Sequence, residues 1–401
     1  MGCRRCTTCA DATTCDRSGR VVTRSLRHVA RLDAMKILHV TDTYLPTVGG
    51  VEILVHDLAT RQAMTGLDVT VLTRTAGRDP DEVIDGVRVV RGRAIESGML
   101  EGVDVVHAHI SAISPQSFLM SRAAARAGVP TVITIHSMWD SAWPIFRTVF
   151  RGGSWSRLPI QFAAVSEAAA EPVRRALGNG DEVLVLPNAV DTHEWAPTGP
   201  VQEHDHVKLV SVMRLARRKR PQALLRMLHE TRAMVPRDTA IRADIIGDGP
   251  LREEIQRGID HWGMSAWVRL TGELGHPQIK QIYRSADIYV APANLESFGI
   301  APLEARTAGL AVVAKHGTGV GDFITDGLDG VLTTTDGEMA EQIAHLCRAP
   351  EQLRKIVEHN RRVVPPFDWT DILWRNAAAY ERAADRAAGG GVHSPGPHRA
   401  S

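Results

Sequence analysis

Short apolar runs alternate with amphipathic stretches along this 401-residue chain, and they do so in two rounds. In the first round, residues 36–42, 69–72, 103–106, 131–135, 163–165 and 183–186 read as buried strands. Between them, Val51, Leu54, Val55 and Leu58 put one apolar face on a helix that opens after Gly49-Gly50 and closes near Gly66, and an Ala-rich helix spans 117–127. Asp85-Gly86 between alternating segments signals a hairpin turn. Residues 196–206 then become polar and rich in Pro and Gly, which reads as a linker. The second round places strands at 208–212, 241–246, 268–271, 287–291 and 311–314, with helices at 221–234, 251–259 and 278–284. Strands alternating with helices predict parallel sheets covered on both faces. The fold class is therefore α/β: two doubly wound, Rossmann-like domains, 35–195 and 207–366, facing each other across a cleft. A last helix, 367–387, is expected to pack back on the N-terminal domain. Residues 1–34 and 388–401 read as a disordered extension and tail. Ligands of such sheets bind outside the carboxyl ends of the strands, at a topological switch point.

One strand-to-helix turn has the chemistry for such a ligand. The run Asp287-Ile288-Tyr289-Val290-Ala291 leads through Glu296-Ser297-Phe298-Gly299 into a helix that carries Pro302 in its first turn and Glu304 just beyond. The backbone N–H groups of Phe298, Gly299 and Ile300 are expected to be free at this helix N-terminus, where the dipole favours an anion. Gly299 lets a ligand approach the backbone. With a phosphate there, Glu304 reaches a sugar hydroxyl pair and Glu296 faces whatever lies beyond the phosphate.

Two further stretches supply matching charge. Arg214-Leu215-Ala216-Arg217-Arg218-Lys219-Arg220 sets five cations at the carboxyl end of strand 208–212. Arg214 and Lys219 there can neutralise a diphosphate leaving group without a metal. Gly49-Gly50 by itself reads as an ordinary tight turn; its functional reading is a second helix N-terminus opposite the same phosphates. His136, at the end of strand 131–135, can hydrogen-bond a hydroxyl or act as a weak base, and its position alone fits a structural histidine equally well. His107 and His109 end a neighbouring strand, and the structural reading is preferred for both. Trp139, Trp143, Phe146 and Phe150 recur at helical spacing with Arg147, Arg151 and Arg157 among them. That stripe fits core packing or an acceptor groove, the preferred readings, and also a peripheral membrane contact.

Composition narrows the class. A formal charge of +1 gives no global attraction to nucleic acid. No apolar run reaches 18 residues and no secretory h-region is visible, so a cytoplasmic protein is expected, at the inner face of the membrane if the aromatic stripe is interfacial. Cys3, Cys6, Cys9 and Cys15 mimic a zinc spacing, but their surroundings offer little to bury and no metal site is expected; Cys347 reads as a small buried hydrophobe.

These residues resemble the retaining family-four glycosyltransferases of the GT-B fold over roughly residues 35–385. The likeness is carried by Tyr44-Leu45-Pro46 with Gly49-Gly50-Val51-Glu52, Leu186-Pro187-Asn188-Ala189-Val190-Asp191, Arg214-x4-Lys219, Gly247-Asp248-Gly249-Pro250-Leu251 and Glu296-x7-Glu304. The resemblance implies a nucleotide-diphosphate sugar as substrate, no required cofactor, and a glycan, a lipid-linked molecule or a small molecule as acceptor. By it, Arg214 and Lys219 bind the diphosphate with help from the 298–300 backbone, Glu304 binds the ribose, and Glu296 orients the hexose. His136 lies near the transferred sugar, and Gly49 and Gly50 touch the phosphate or the acceptor side. The chain departs from the family pattern at Gly319-Val320-Gly321-Asp322, Ala311 and Ala189, none of them on the diphosphate clamp. An epimerase or phosphorylase on the same fold, or a non-catalytic nucleotide- or glycan-binding protein, are the alternative readings.

Overall fold

The computed structural model describes residues 13–15, 21–23, 35–47, 49–92, 98–111, 113–153, 155–178, 182–199 and 205–389. Cys3, Cys6, Cys9, residues 200–204 of the linker and the tail from residue 390 lie outside these. The strands are β1 (Thr13–Cys15), β2 (Val21–Thr23), β3 (Lys36–Thr41), β4 (Asp68–Thr73), β5 (Asp81–Ile84), β6 (Val87–Arg91), β7 (Val105–Ile110), β8 (Thr131–Ile135), β9 (Ile160–Ala164), β10 (Val183–Val185), β11 (His206–Val212), β12 (Ala240–Ile246), β13 (Val268–Gly272), β14 (Ile288–Ala291), β15 (Ala311–Lys315) and β16 (Gly330–Thr333). The helices are α1 (Gly50–Met64), α2 (Pro115–Arg126), α3 (Trp143–Gly152), α4 (Glu167–Leu177), α5 (Thr192–Trp195), α6 (Pro221–Met234), α7 (Arg252–His261), α8 (His276–Tyr283), α9 (Ile300–Thr307), α10 (Asp336–Arg348), α11 (Pro350–Arg362) and α12 (Trp369–Gly389).

Apart from the small β1–β2 antiparallel pair, the strands form two sheets. The N-terminal sheet has the order β10-β9-β8-β7-β3-β4-β6-β5, parallel except at its β5–β6 edge. There, Asp85 and Gly86 both take positive φ (48° and 82°), so the hairpin turn read from the sequence forms. The C-terminal sheet, β13-β12-β11-β14-β15-β16, is parallel throughout. In each sheet the chain runs outward from a central strand, then returns to that strand's other side. The switch points therefore fall between β3 and β7 and between β11 and β14. Parallel strands buried on both faces read as continuous apolar runs, which is why the sequence revealed them.

The two halves touch directly. Ser166 Oγ, at the N-cap of α4, donates to the Ser297 carbonyl at 2.5 Å, and the Glu167 N–H donates to Asp322 Oδ2 at 2.9 Å. The chain crosses back late: Thr192 donates through N and Oγ1 to Asp368 Oδ2, just before α12. α12 lies on the N-terminal sheet, where Ala379, Tyr380 and Ala383 pack against Ile37, Val105, Val132 and Ala163.

Candidate active site

Between the two switch points lies a cavity of about 360 Å³, within the range of small-molecule sites. The C-terminal half lines it with Arg218, Lys219 and the 295–302 turn; the N-terminal half contributes Gly50, Val51, Leu54, His136 and Asn188.

The 296–304 turn is held in place by its own backbone. Gly299 sits at φ 97°, in the left-handed region, as the N-cap of α9. A Cβ there would come within 2.9 Å of Val320 Cγ2, so both conformation and space require glycine. The loop at Gly319 braces the turn from below: its N–H donates to the Glu296 carbonyl at 2.8 Å, and a Cβ on Gly319 would lie 2.2 Å from the Ser297 carbonyl oxygen. This loop, one of the places where the chain departs from the family pattern, thus supports the turn without lining the cavity. The N–H groups of Phe298, Gly299 and Ile300 donate to no partner among the described residues. They offer a row of free donors at a helix N-terminus.

Lys219 and Glu296 meet directly, Nζ to Oε2 at 2.5 Å, with the lysine partly exposed. The pair is half-buried, with the ammonium its more exposed member. Arg214 does not join them. Arg214 stands exposed between the buried Met213 and Leu215 and is not among the residues that line the cavity. Arg218 occupies the cavity wall instead. Arg220 is structural: it caps α6 in the left-handed conformation, and its guanidinium binds Asp336, Asn294 and the Pro292 carbonyl.

Glu304 is 8% exposed and its carboxylate has no hydrogen-bond partner among the described residues. Burial, with a smaller contribution from Glu194, pushes its pKa up to about 8. At neutral pH it therefore carries a proton, able to donate as well as accept.

On the opposite wall, Gly49 is the extended N-cap of α1 and Gly50 lines the cavity as its first residue. His136 follows β8 and is 7% exposed; burial lowers its pKa to about 4. Its Nε2 turns inward to His109 Nδ1 at 3.0 Å. The sequence placed His107 and His109 at a strand end. They lie within β7, which runs further than its apolar residues indicate because the histidines are paired inside the sheet. The ring nitrogens of His39, His107 and His109 fall within 4.8 Å of one another, a spacing at which metal ligands gather. Each of those nitrogens already has a hydrogen-bond partner, so the set is satisfied without an ion.

The aromatic stripe packs inward. Trp139 and Phe146 stack with centroids 3.6 Å apart, and Phe150, Phe118 and Trp155 close round them, with Trp143 half-buried at the edge. The side of α3 that meets solvent carries Ile145 and Val149 instead, because the i, i+4, i+7 stripe is the face that the core claims. Asn188, read only as part of the family likeness, lines the cavity with its Oδ1 buried and unpartnered, a vacancy suited to a ligand donor.

Comparison with known proteins agrees with this architecture. Residues 199–363 match the model of the glycosyl transferases group 1 and residues 48–194 that of glycosyltransferase family 4. The chain is 27% identical to a glycogen synthase of Mycobacterium tuberculosis, over 86% of this chain and 94% of the relative. It is 28% identical to D-inositol 3-phosphate glycosyltransferase 1 of Catenulispora acidiphila, over 85% and 92%. Among solved structures, HepE from Anabaena in complex with UDP superposes with a TM-score of 0.69 at 18% identity, covering 86% of this chain and all of that one. Sucrose-phosphate synthase from Thermosynechococcus elongatus superposes with 0.67 at 17% identity, covering 87% and 98%.

Proposed function

This chain belongs to the group 1, family-four glycosyltransferases of the GT-B fold, and from that premise we propose that it is a retaining hexosyltransferase. It moves a hexose from a nucleotide-diphosphate sugar to a hydroxyl of a glycan, glycolipid or small molecule. The observation that carries this reading is the row of free N–H groups at 298–300 beside Lys219 and Arg218, facing Gly50 and His136 across one cavity. Free amides and cations converging on one point are suited to a diphosphate and to little else of that size.

In this reading the diphosphate sits on the 298–300 amides. Lys219 leaves Glu296 for a phosphate oxygen, with Arg214 or Arg218 as the second cation. Glu296, released, takes hydroxyls of the hexose. Glu304 takes the ribose, and His136 stands over the transferred sugar. The anomeric C–O bond to phosphate breaks, and the acceptor oxygen bonds the anomeric carbon on the same face. The acceptor's proton passes to the departing phosphate. The cations and amides act where negative charge develops, which is where electrostatic stabilisation lowers the barrier. This scheme needs no carboxylate nucleophile.

Melting the full chain with UDP-, GDP- and ADP-glucose tests the reading. One of them is expected to raise the melting temperature, since a ligand at 100 times its Kd adds about 2.7 kcal/mol. NMR of the transferred sugar is expected to find the donor's anomeric configuration kept. No stabilisation by any nucleotide sugar overturns the donor site; an inverted product overturns the retaining mechanism alone.

A further inference from the structure

His136 is the outer end of a hydrogen-bonded chain that runs through the N-terminal domain. From His136 Nε2 the chain passes to His109 Nδ1 (3.0 Å), and from His109 Nε2 to His39 Nδ1 (2.9 Å). It continues from His39 Nε2 to the Gln62 Oε1 (2.7 Å), and the Gln62 Nε2 donates to Tyr380 Oη at 2.9 Å. Tyr380 Oη in turn meets His107 Nδ1 at 3.0 Å, and His107 Nε2 meets Thr134 Oγ1 at 2.8 Å. The residues come from β3, β7, β8, α1 and α12 and are all buried.

We propose that Gln62, acting through His39 and His109, fixes the tautomer of His136, so that the nitrogen His136 turns to the cavity accepts a hydrogen bond. Nothing in the proposed transfer reaction requires Gln62 or Tyr380, and the proposal uses that reading only in taking His136 to face a sugar hydroxyl. The argument is one of counting protons. Burial holds all four histidines far below their ordinary pKa, so each ring is neutral at pH 7. A neutral imidazole has one N–H and one bare nitrogen, so a ring bonded through both nitrogens donates once and accepts once. Three such rings in series pass a direction along without loss. The Gln62 carbonyl oxygen can only accept, so His39 carries its proton on Nε2 and accepts at Nδ1. His109 must then be protonated on Nε2 and bare at Nδ1. His136 donates from Nε2, and its Nδ1 is left unprotonated. In this orientation Tyr380 accepts the Gln62 N–H and gives its own proton to His107. Turning the Gln62 amide over would reverse every bond and present an N–H at His136 Nδ1. Gln62 is thus a positioning residue three rings away from the cavity, and α12 supplies the hydroxyl that its amide N–H bonds.

The test is long-range 15N NMR of the full chain with labelled histidine, free of any nucleotide, with His136 assigned through His136→Ala. In the wild type, His39, His109 and His136 are all expected to carry the proton on Nε2. Gln62→Met, similar in shape but without the amide, is expected to lower the tautomer ratio at His136 about fivefold, the worth of one net hydrogen bond. Gln62→Glu keeps an oxygen facing His39 and is expected to restore the wild-type ratio. A proton on Nδ1 of His136 in the wild type overturns the proposal, as does an unchanged ratio in folded Gln62→Met. If Gln62→Met does not fold, the wild-type and Gln62→Glu spectra decide alone: Nε2–H on all three rings in both supports the chain, and mixed tautomers among them overturn it. The measurement involves no donor, so it can fail while the transferase reading stands, and the reverse.

Discussion

On the C-terminal wall of the cleft, Lys219 and Glu296 form a half-buried ion pair, and beside them three backbone amides donate to no partner among the described residues. The N-terminal wall does the opposite. It buries four histidines, leaves them uncharged, and links them in one hydrogen-bonded chain with Gln62, Tyr380 and Thr134. An exposed charge can be exchanged for a ligand's charge at small cost, whereas a buried neutral chain cannot be rearranged one bond at a time. In the proposed function one wall receives an anion, and the other holds a hydroxyl-facing group in one orientation. Their responses to pH and to mutation should differ accordingly.

Acid should separate the walls most. The folded-state pKa values of the four histidines lie below the ordinary 6.5, at about 4 for His39 and His136. Between those limits the unfolded chain binds more protons, so stability is full above pH 6.5 and falls as pH drops toward 4, by up to about 1.4 kcal/mol per pH unit for each histidine. Denaturant titrations across that window should find this slope; a flat profile would mean the histidines are hydrated. The next largest effect belongs to the other wall. Arg214→Ala with Lys219→Ala should cost about 10²–10⁴ in kcat/KM, if each phosphate contact is worth about 1.5–3 kcal/mol. The melting temperature should barely move. Arg218→Ala in place of Arg214→Ala determines which arginine reaches the phosphate, and equal activity in both double variants and the wild type would remove the clamp.

Trp139→Ala should destabilise by about 3–5 kcal/mol, because a stacked, buried indole leaves a cavity. Ile145→Ser, on the solvent face of the same segment, should stay within about 0.5 kcal/mol. A reversal of these two measurements would return the aromatic stripe to a surface role. A further effect, of the same order as the Trp139 one, belongs to a single group. Glu304 is raised to about 8 from 4.5, so the folded chain holds its proton more tightly. Its contribution is full below pH 4.5 and declines toward pH 8, by up to about 1.4 kcal/mol per pH unit. Glu304→Gln should therefore be relatively more stable than the wild type at pH 8 than at pH 5, and identical profiles would place the carboxyl in water.

Much of the C-terminal wall was legible because it is local. Nine consecutive residues, 296–304, contain the glycine, the acidic pair and the start of the helix, and the turn's chemistry follows from their order. The 214–220 run was legible as a cluster of charge, but not residue by residue. Which arginine turns inward depends on where Met213 and Leu215 find their core, and one-dimensional spacing does not carry that. The aromatic stripe was legible as a helix face, while the direction of the face was left to packing. On the N-terminal wall, His107-x-His109 and Thr134-x-His136 show the two-residue period that puts neighbours on one face of a strand, a signal that grouped them without joining them.

By itself the sequence determined the alternation of strand and helix, the two-domain division, and the strand-to-helix turn at 296–304, since each rests on residues close together in the chain. Tertiary structure alone decided the histidine chain. His39 lies opposite His107 and His109 opposite Thr134 only because β3, β7 and β8 pair in one register. Gln62 meets Tyr380 only because α12 returns across the sheet from 318 residues away. A shift of one residue in any of those strands would send its side chains to the opposite face, so hydrogen-bond partners that distant are a property of the packing and have no trace in local order.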